Sequence, residues 1–391
     1  MRRMLASEIL PIELGQGTLI GRVWSNRGSG PSVVLLDNHV VRDLSSVSAT
    51  MAGLLELPDL NNQMRDRRQF PALGELDDFL SDGGNEGPAG SLLAPCDLQA
   101  IKAAGVTFAS SMLERVIEEK AKGDPMRAAD IRSALRQIVG DNLRGVKAGS
   151  DAARDVKALL QKMDLWSQYL EVGIGADAEI FTKAQPMSAV GTGSRVGINP
   201  ISSWNNPEPE VVLAVNSRGV IVGASLGNDV NLRDVEGRSA LLLGKAKDNN
   251  ASCAIGPFIR LLDESFAVSD IEELTVTLTV SGPDGFQLAG ESPMSAISRS
   301  PSDLVDHTIG ASHQYPDGFM LFLGTMFSPI EDRKAPGSGF THEIGDEVRI
   351  SVPSIGTLIN WVDHCDVIPS WTFGTLNLIR NLAGRGLIGR V

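Results

Sequence analysis

The chain is poor in cysteine, has no long apolar run and carries no excess of positive charge, and each absence excludes a class of protein. Its three cysteines, Cys96, Cys253 and Cys365, are far apart, odd in number and without paired metal spacing. They point to a reducing compartment and to no disulfide framework. Cys253 reads as a small buried thiol rather than a nucleophile, because no histidine lies near it in sequence. The chain has no stretch of 18 uninterrupted apolar residues, so no membrane-spanning helix is expected. Met1-Arg2-Arg3-Met4-Leu5 begins with basic residues but lacks the apolar run of a signal peptide, which leaves a cytoplasmic protein as the expectation. A net charge of −13 and a pI near 4.9 argue against nucleic acid or an anionic membrane as a partner. None of the five histidines (His39, His307, His313, His342, His364) sits at metal-ligand spacing.

What is present is acidic and clustered. Glu208 and Glu210 precede the apolar run Val211–Val215, and Asn216-Ser217-Arg218-Gly219 then gives a turn signal. A second apolar run from Val220 to about Leu226 leads to Asp229. Strand side chains alternate between faces, so Glu208 and Glu210 project together. A hairpin of this shape returns Asp229 beside them. Three neighbouring carboxylates repel one another unless a cation lies between them, and an all-oxygen donor set favours Mg²⁺, or Mn²⁺, over zinc.

The segment Asn228-Asp229-Val230-Asn231-Leu232-Arg233-Asp234 follows, then Lys247-Asp248-Asn249-Asn250-Ala251-Ser252-Cys253-Ala254-Ile255-Gly256-Pro257. Further on come Leu323-Gly324-Thr325, Ile344-Gly345-Asp346 and Ile355-Gly356-Thr357-Leu358-Ile359-Asn360. This ordered set, over about residues 96–362, resembles the fumarylacetoacetate hydrolase superfamily. The resemblance implies a β-rich, mixed-sheet α+β catalytic domain with metal ligands Glu208, Glu210 and Asp229. It also implies an active-site lysine at Lys247, in preference to Lys245 on the same face of a strand. Thr325 matches a substrate-binding threonine, and Lys183 a lysine lining the entrance of the site. Arg233 and Asp234 would brace the carboxylate cluster from behind. Hydrolytic and decarboxylating relatives carry Asn-Tyr-x-x-His-x-x-Glu where this chain has Ser111 at the histidine position and Glu114 at the glutamate. The missing histidine disfavours water-driven C–C cleavage and leaves Glu114 as the expected general base. Gly105-Val106-Thr107-Phe108 with Ser252-Cys253-Ala254-Ile255-Gly256-Pro257 is similar to the branch that dehydrates 2-keto-3-deoxy sugar acids.

Two domains are expected. Residues 1–95 read as a small α/β unit, with strands at Thr18–Trp24 and Ser32–Leu36 and a helix around Val47–Leu57. The Gly-rich run 81–90 is a linker to a catalytic domain over 96–391. From about Leu98 to Trp166 the apolar period becomes helical, with Ser150 as an N-cap, and residues about 115–165 are read as an inserted helical lid. Leu274–Val280 alternates apolar residues with threonine and leads into a hairpin, and a helical piece is expected near 302–312. The expected activity is a Mg²⁺-dependent hydro-lyase acting on a 2-keto-3-deoxypentonate of arabinonate or xylonate type to give 2,5-dioxopentanoate. Glu114 and Lys247 would be catalytic, and Ser111, Thr325 and Lys183 would meet a small 2-keto acid. The alternative in the same fold is hydrolysis of an acylpyruvate to pyruvate and a small acid; oxaloacetate decarboxylation and a non-catalytic scaffold rank lower. Relatives in the family imply a homo-oligomer, a dimer or a tetramer.

Overall fold

The structure, a computed structural model, describes residues 4–12, 15, 17–25, 29–80, 91–108, 112, 146–327, 329, 331–334 and 339–388. Two sheets dominate. The larger runs in the order Ala72–Glu75, Val40–Asp43, Gly30–Asp37, Leu19–Ser25, Cys253–Leu261, Ile221–Asp229, Pro209–Val215, Phe319–Phe322, Ala100–Gly105, Glu179–Ala184. It is antiparallel except where Phe319–Phe322 runs beside Ala100–Gly105. The smaller sheet runs Gln287–Pro293, Thr275–Ser281, Glu347–Val352, Gly356–His364, Arg195–Ile198.

The run Val211-Val212-Leu213-Ala214-Val215 lacks alternation because both of its faces are covered. Val211, Leu213 and Val215 pack with Val276, Leu278 and Val280 of the smaller sheet. Val212 and Ala214 face the other way, onto Val33, Leu35 and Met320. Each such Val or Leu contributes about 1.5–3 kcal/mol of burial energy, so the strand is among the most firmly held in the fold. By contrast Thr275–Ser281 buries only Val276, Leu278 and Val280, and the alternation read in the sequence is one covered face against one wet face.

The expected strands near the N-terminus are observed as Leu19–Ser25 and Gly30–Asp37, and the first of them pairs directly with Cys253–Leu261. One sheet therefore runs across the expected boundary at residue 95. The helices Met51–Leu55, Asp151–Lys162 and Pro301–Thr308 lie within regions read as helical. Ser150 caps the second as expected, its Oγ accepting from Ala153 N at 3.2 Å. Two expectations are corrected. Ala100–Gly105 is a strand, because Ile101, Ala103 and Ala104 are drawn into the sheet core despite alanine's helical preference. Leu243–Lys247 is a short helix, not a strand. The linker 81–90 and most of the expected lid lie outside the described residues. Among the described residues no helix is long and apolar enough to cross a membrane.

The loop before Glu347–Val352 is locked by a buried ionic cluster. Arg333 donates to both carboxylate oxygens of Asp346, at 2.6 and 2.7 Å, and His342 Nδ1 lies 3.1 Å from Asp346 Oδ2. Burial pushes the Asp346 carboxyl up, but His342 and Arg333 outweigh it and hold its pKa at about 2 against an ordinary 3.8. A depressed folded-state pKa contributes stability that is present above pH 3.8 and lost as pH falls towards about 2. Asp346→Asn is therefore expected to destabilise the protein by about 2 kcal/mol near neutral pH, since the buried charge contacts to Arg333 and His342 are lost while Arg333 keeps its second carboxylate, Asp284, at 3.0 Å. Urea unfolding from pH 7 downwards checks this. The gap between wild type and variant should narrow with acid, and a gap that is constant with pH would contradict it.

Candidate active site

The acidic trio is built by one hairpin. Pro209–Val215 and Ile221–Asp229 pair antiparallel, with Pro209 opposite Asn228 and Glu210 opposite Gly227. The turn closes because Asn216 Oδ1 accepts from the amides of Arg218 and Val220, both at 3.1 Å, and Gly219 supplies a φ of +78°. Asp229 thereby returns to Glu208, its amide donating to the Glu208 carbonyl at 3.0 Å. One oxygen from each of Glu208, Glu210 and Asp229 lies within 4.8 Å of the others.

Two lysines serve this cluster. Lys247 Nζ donates to Glu208 Oε2 and, at 3.0 Å, to Asp229 Oδ2. Lys183 Nζ pairs with Asp229 Oδ1 at 2.8 Å and donates to the carbonyls of Val230 and Lys247. Burial would raise the Asp229 carboxyl, but Lys183 and Lys247 together hold it below the usual range. At Glu210 burial, followed by the charges of Asp229 and Glu208, outweighs the pull of Lys247 and pushes the carboxyl well up. Its Oε2 accepts from the Gly324 amide at 2.6 Å. Burial also raises Glu208, against the opposing pull of Lys247. With all three carboxylates ionised they outnumber the two ammonium groups by one, on a largely buried all-oxygen set. A divalent hard cation relieves that excess, so the donors fit Mg²⁺.

The trio opens onto a cavity also lined by Glu179, Phe181, Arg233, Glu236, Lys247 and Thr325. Gly324 takes a φ of +86°, and a Cβ there would lie 2.1 Å from Thr107 Oγ1, so the loop turns tightly enough to aim its amide at Glu210. Thr107 Oγ1 ties the same loop by donating to the Leu323 carbonyl at 2.7 Å. Thr325 Oγ1 accepts from the Phe327 amide at 3.1 Å, which leaves its hydroxyl proton to donate.

The structure places most of the sequence-derived residues together. Lys247 is buried at the cluster while Lys245 is exposed, because a short helix turns the two apart. Lys183 requires a correction. It is 0 % exposed and paired with Asp229 in the interior, not at an entrance, because the last two residues of Glu179–Ala184 are covered. Arg233 reaches the cavity with its guanidinium 4.4 Å from the Trp204 ring centre. Asp234 accepts from Ser202 Oγ at 2.6 Å and Ser203 N at 2.9 Å, fixing the turn that carries Trp204. Ser111 and Glu114 lie outside the described residues. Cys253 is 2 % exposed, and burial pushes its thiol well above the ordinary range, in keeping with a structural role. Sequence reasoning missed Glu179, Asn231 and Glu236. Asn231 Nδ2 donates to Glu208 Oε1 at 2.9 Å and to Glu236 Oε2 at 2.6 Å. For Glu179 a signal existed, because the two-residue period of Glu179–Ala184 puts Glu179, Phe181 and Lys183 on one face.

Residues 178–363 match the model of the fumarylacetoacetate (FAA) hydrolase C-terminal family. A Haloferax volcanii protein named as a probable 2-keto-3-deoxyxylonate dehydratase is 30% identical over 213 residues, 54% of this chain and 68% of that protein. The 2-dehydro-3-deoxy-D-arabinonate dehydratase of Saccharolobus solfataricus is 32% identical over 181 residues, 46% of this chain and 57% of that protein. The second alignment thus spans little more than half of its relative. A solved 2-keto-3-deoxy-D-arabinonate dehydratase complexed with magnesium and 2,5-dioxopentanoate superposes with a TM-score of 0.58 at 21% identity, covering 88% of this chain and 99% of that one. That likeness is one of fold: a β-rich, mixed-sheet architecture with helices.

Proposed function

Because this chain belongs to the fumarylacetoacetate hydrolase family, we propose that it is a magnesium-dependent hydro-lyase that dehydrates a 2-keto-3-deoxypentonate, of arabinonate or xylonate type, to 2,5-dioxopentanoate. The observation that carries this reading is the trio Glu208, Glu210 and Asp229, whose oxygens converge within 4.8 Å on the wall of a cavity. The chemistry that Mg²⁺ supplies when bound is polarisation of a 2-oxo acid head group, which acidifies the C3 hydrogens.

The chain's own residues do the rest. Glu208, Glu210 and Asp229 would hold the ion, and Lys183 would keep Asp229 ionised and oriented. Lys247, kept charged by Asp229 and Glu208 despite its burial, would stabilise negative charge developing at the C2 oxygen. The Thr325 hydroxyl and the amides of its loop would take the substrate carboxylate, with Ser111 as a further contact from outside the described residues. Arg233 and Asp234 would support the wall from the Trp204 turn. Two glutamates compete for the C3 proton: Glu114, which also lies outside the described residues, and Glu179, which lines the cavity. Loss of that proton with cleavage of the C4–O bond releases one water. A hydrogen shift from C5 to C3 leaves a C4=C5 enol, and transfer of its hydroxyl proton to C4 gives the aldehyde. Residues about 115–165 would close over the substrate as a helical lid, and residues 1–95 would form an N-terminal unit whose strand Leu19–Ser25 continues the larger sheet. A cytoplasmic homodimer completes the proposal.

Incubation of the full chain and Mg²⁺ with 2-keto-3-deoxypentonate tests this. An aldehyde that an aldehyde dehydrogenase converts to 2-oxoglutarate is the expected product, abolished by chelator and restored by Mg²⁺. Pyruvate released from acylpyruvates, with no aldehyde from the pentonate, would replace the dehydratase by a hydrolase.

A further inference from the structure

Glu236 is a carboxylate in the cavity that the proposed chemistry does not use. It ends the short helix Arg233–Glu236, whose Val235 packs with Leu232 and Ala246. Burying Val235 turns Arg233 and Glu236, three residues apart, towards the other side, where both line the cavity. Asn231, 1 % exposed, ties Glu236 to the metal trio, because its single amide nitrogen donates to Glu236 at 2.6 Å and to Glu208 at 2.9 Å. Glu236 is absent from the trio whose oxygens converge, so it stands one amide group away from the ion's position. The cavity that would take the head of a 2-oxo acid at the trio thus carries this second carboxylate on its wall.

We propose that Glu236 is the residue that selects the substrate's tail, accepting hydrogen bonds from a neutral hydroxylated chain and repelling a chain that ends in a second carboxylate. The inference rests on the dehydratase reading and deepens it, since a 3-deoxypentonate carries hydroxyls at C4 and C5 whereas many other 2-oxo acids are dicarboxylic. A carboxylate acceptor strengthens a hydroxyl hydrogen bond, and a second carboxylate brought against it in a partly desolvated cavity is strongly disfavoured. The neighbouring Arg233 guanidinium lies against the Trp204 ring at 4.4 Å, which occupies one of its faces.

The test is binding rather than turnover, by calorimetry with the full chain and saturating Mg²⁺. The ligands are 5-hydroxy-2-oxopentanoate, 2-oxopentanoate and 2-oxoglutarate, none of which has a C4 hydroxyl to eliminate. Wild type is expected to bind the hydroxylated acid about tenfold tighter than 2-oxopentanoate, and 2-oxoglutarate about tenfold weaker. Glu236→Gln should improve 2-oxoglutarate by about tenfold and leave 2-oxopentanoate within about twofold, while Glu236→Asp should restore the discrimination. If Glu236→Gln shifts all three ligands alike, or if wild type binds 2-oxoglutarate as tightly as 2-oxopentanoate, Glu236 is not the selector. Should the glutamine variant fail to fold, the wild-type order and the aspartate variant still decide. Absence of Mg²⁺-dependent binding of every 2-oxo acid overturns this inference and the proposed function together. The expected ligand order without pentonate dehydration overturns the function alone.

Discussion

Glu208→Gln is expected to lower kcat/KM for the pentonate by a factor on the order of 10³, the scale of losing one preorganised charge at a reacting centre. The physical reason is specific to this carboxylate. Glu208 accepts from Lys247 through one oxygen and from Asn231 through the other. A glutamine can accept through only one of them, and its own NH₂ must then face a donor. Lys247 loses a counter-charge in a buried setting, and the trio loses the excess charge that attracts a divalent ion. Mg²⁺ affinity should fall as well, by about 100-fold. Proton bookkeeping gives a second readout. Burial and its like-charged neighbours hold the Glu210 carboxyl well above the usual range, so loading the wild-type site should expel protons. Mg²⁺ titrations in two buffers of different ionisation enthalpy measure that release, and they should show tighter binding as pH rises. If the variant keeps its Mg²⁺ affinity and turns over within about tenfold of wild type, the trio is not the metal centre.

The hairpin was readable from sequence because every part of it is local. The two-residue period of Glu208 and Glu210, the Asn216–Gly219 turn and the apolar runs on either side suffice to return Asp229 to its partners. Lys247 was assigned through its place in an ordered set of motifs, and the structure shows why it and not Lys245 reaches the trio: the helix Leu243–Lys247 turns Lys245 out to solvent. What failed depended on distant partners. Ala100–Gly105 reads as helix by composition and becomes a strand because Phe319–Phe322, more than two hundred residues later, pairs with it. Glu236 joins the cavity only through the docking of Val235 against Ala246, and Asn231 acquires its role only when both carboxylates stand before it. Lys183 was found as a site lysine but placed at an entrance, since sequence does not show which end of a strand is covered.

Glu179→Gln is expected to lower kcat by about 10²–10⁴, the usual contribution of a positioned general base, with KM and Mg²⁺ affinity nearly unchanged. Glu179 sits opposite Gly105 in the register of its strand, and a Cβ on Gly105 would lie 2.1 Å from Glu179 Oε2. The carboxylate therefore fills the space a side chain would take and forms part of the cavity wall. It lies outside the converging trio, so its amide isostere should leave the metal centre intact, which separates this loss from that of Glu208→Gln. Exchange of the C3 hydrogens of 2-oxopentanoate into D₂O isolates the proton step, because this acid has nothing to eliminate. Wild type with Mg²⁺ should exchange them and Glu179→Gln should not, whereas Glu114→Gln should retain exchange. The reverse pattern would move the base to Glu114, and Glu179 would then be left to shape the wall. An acceptor built on a sheet strand is held rigidly, and a base that acts at a single carbon needs that rigidity.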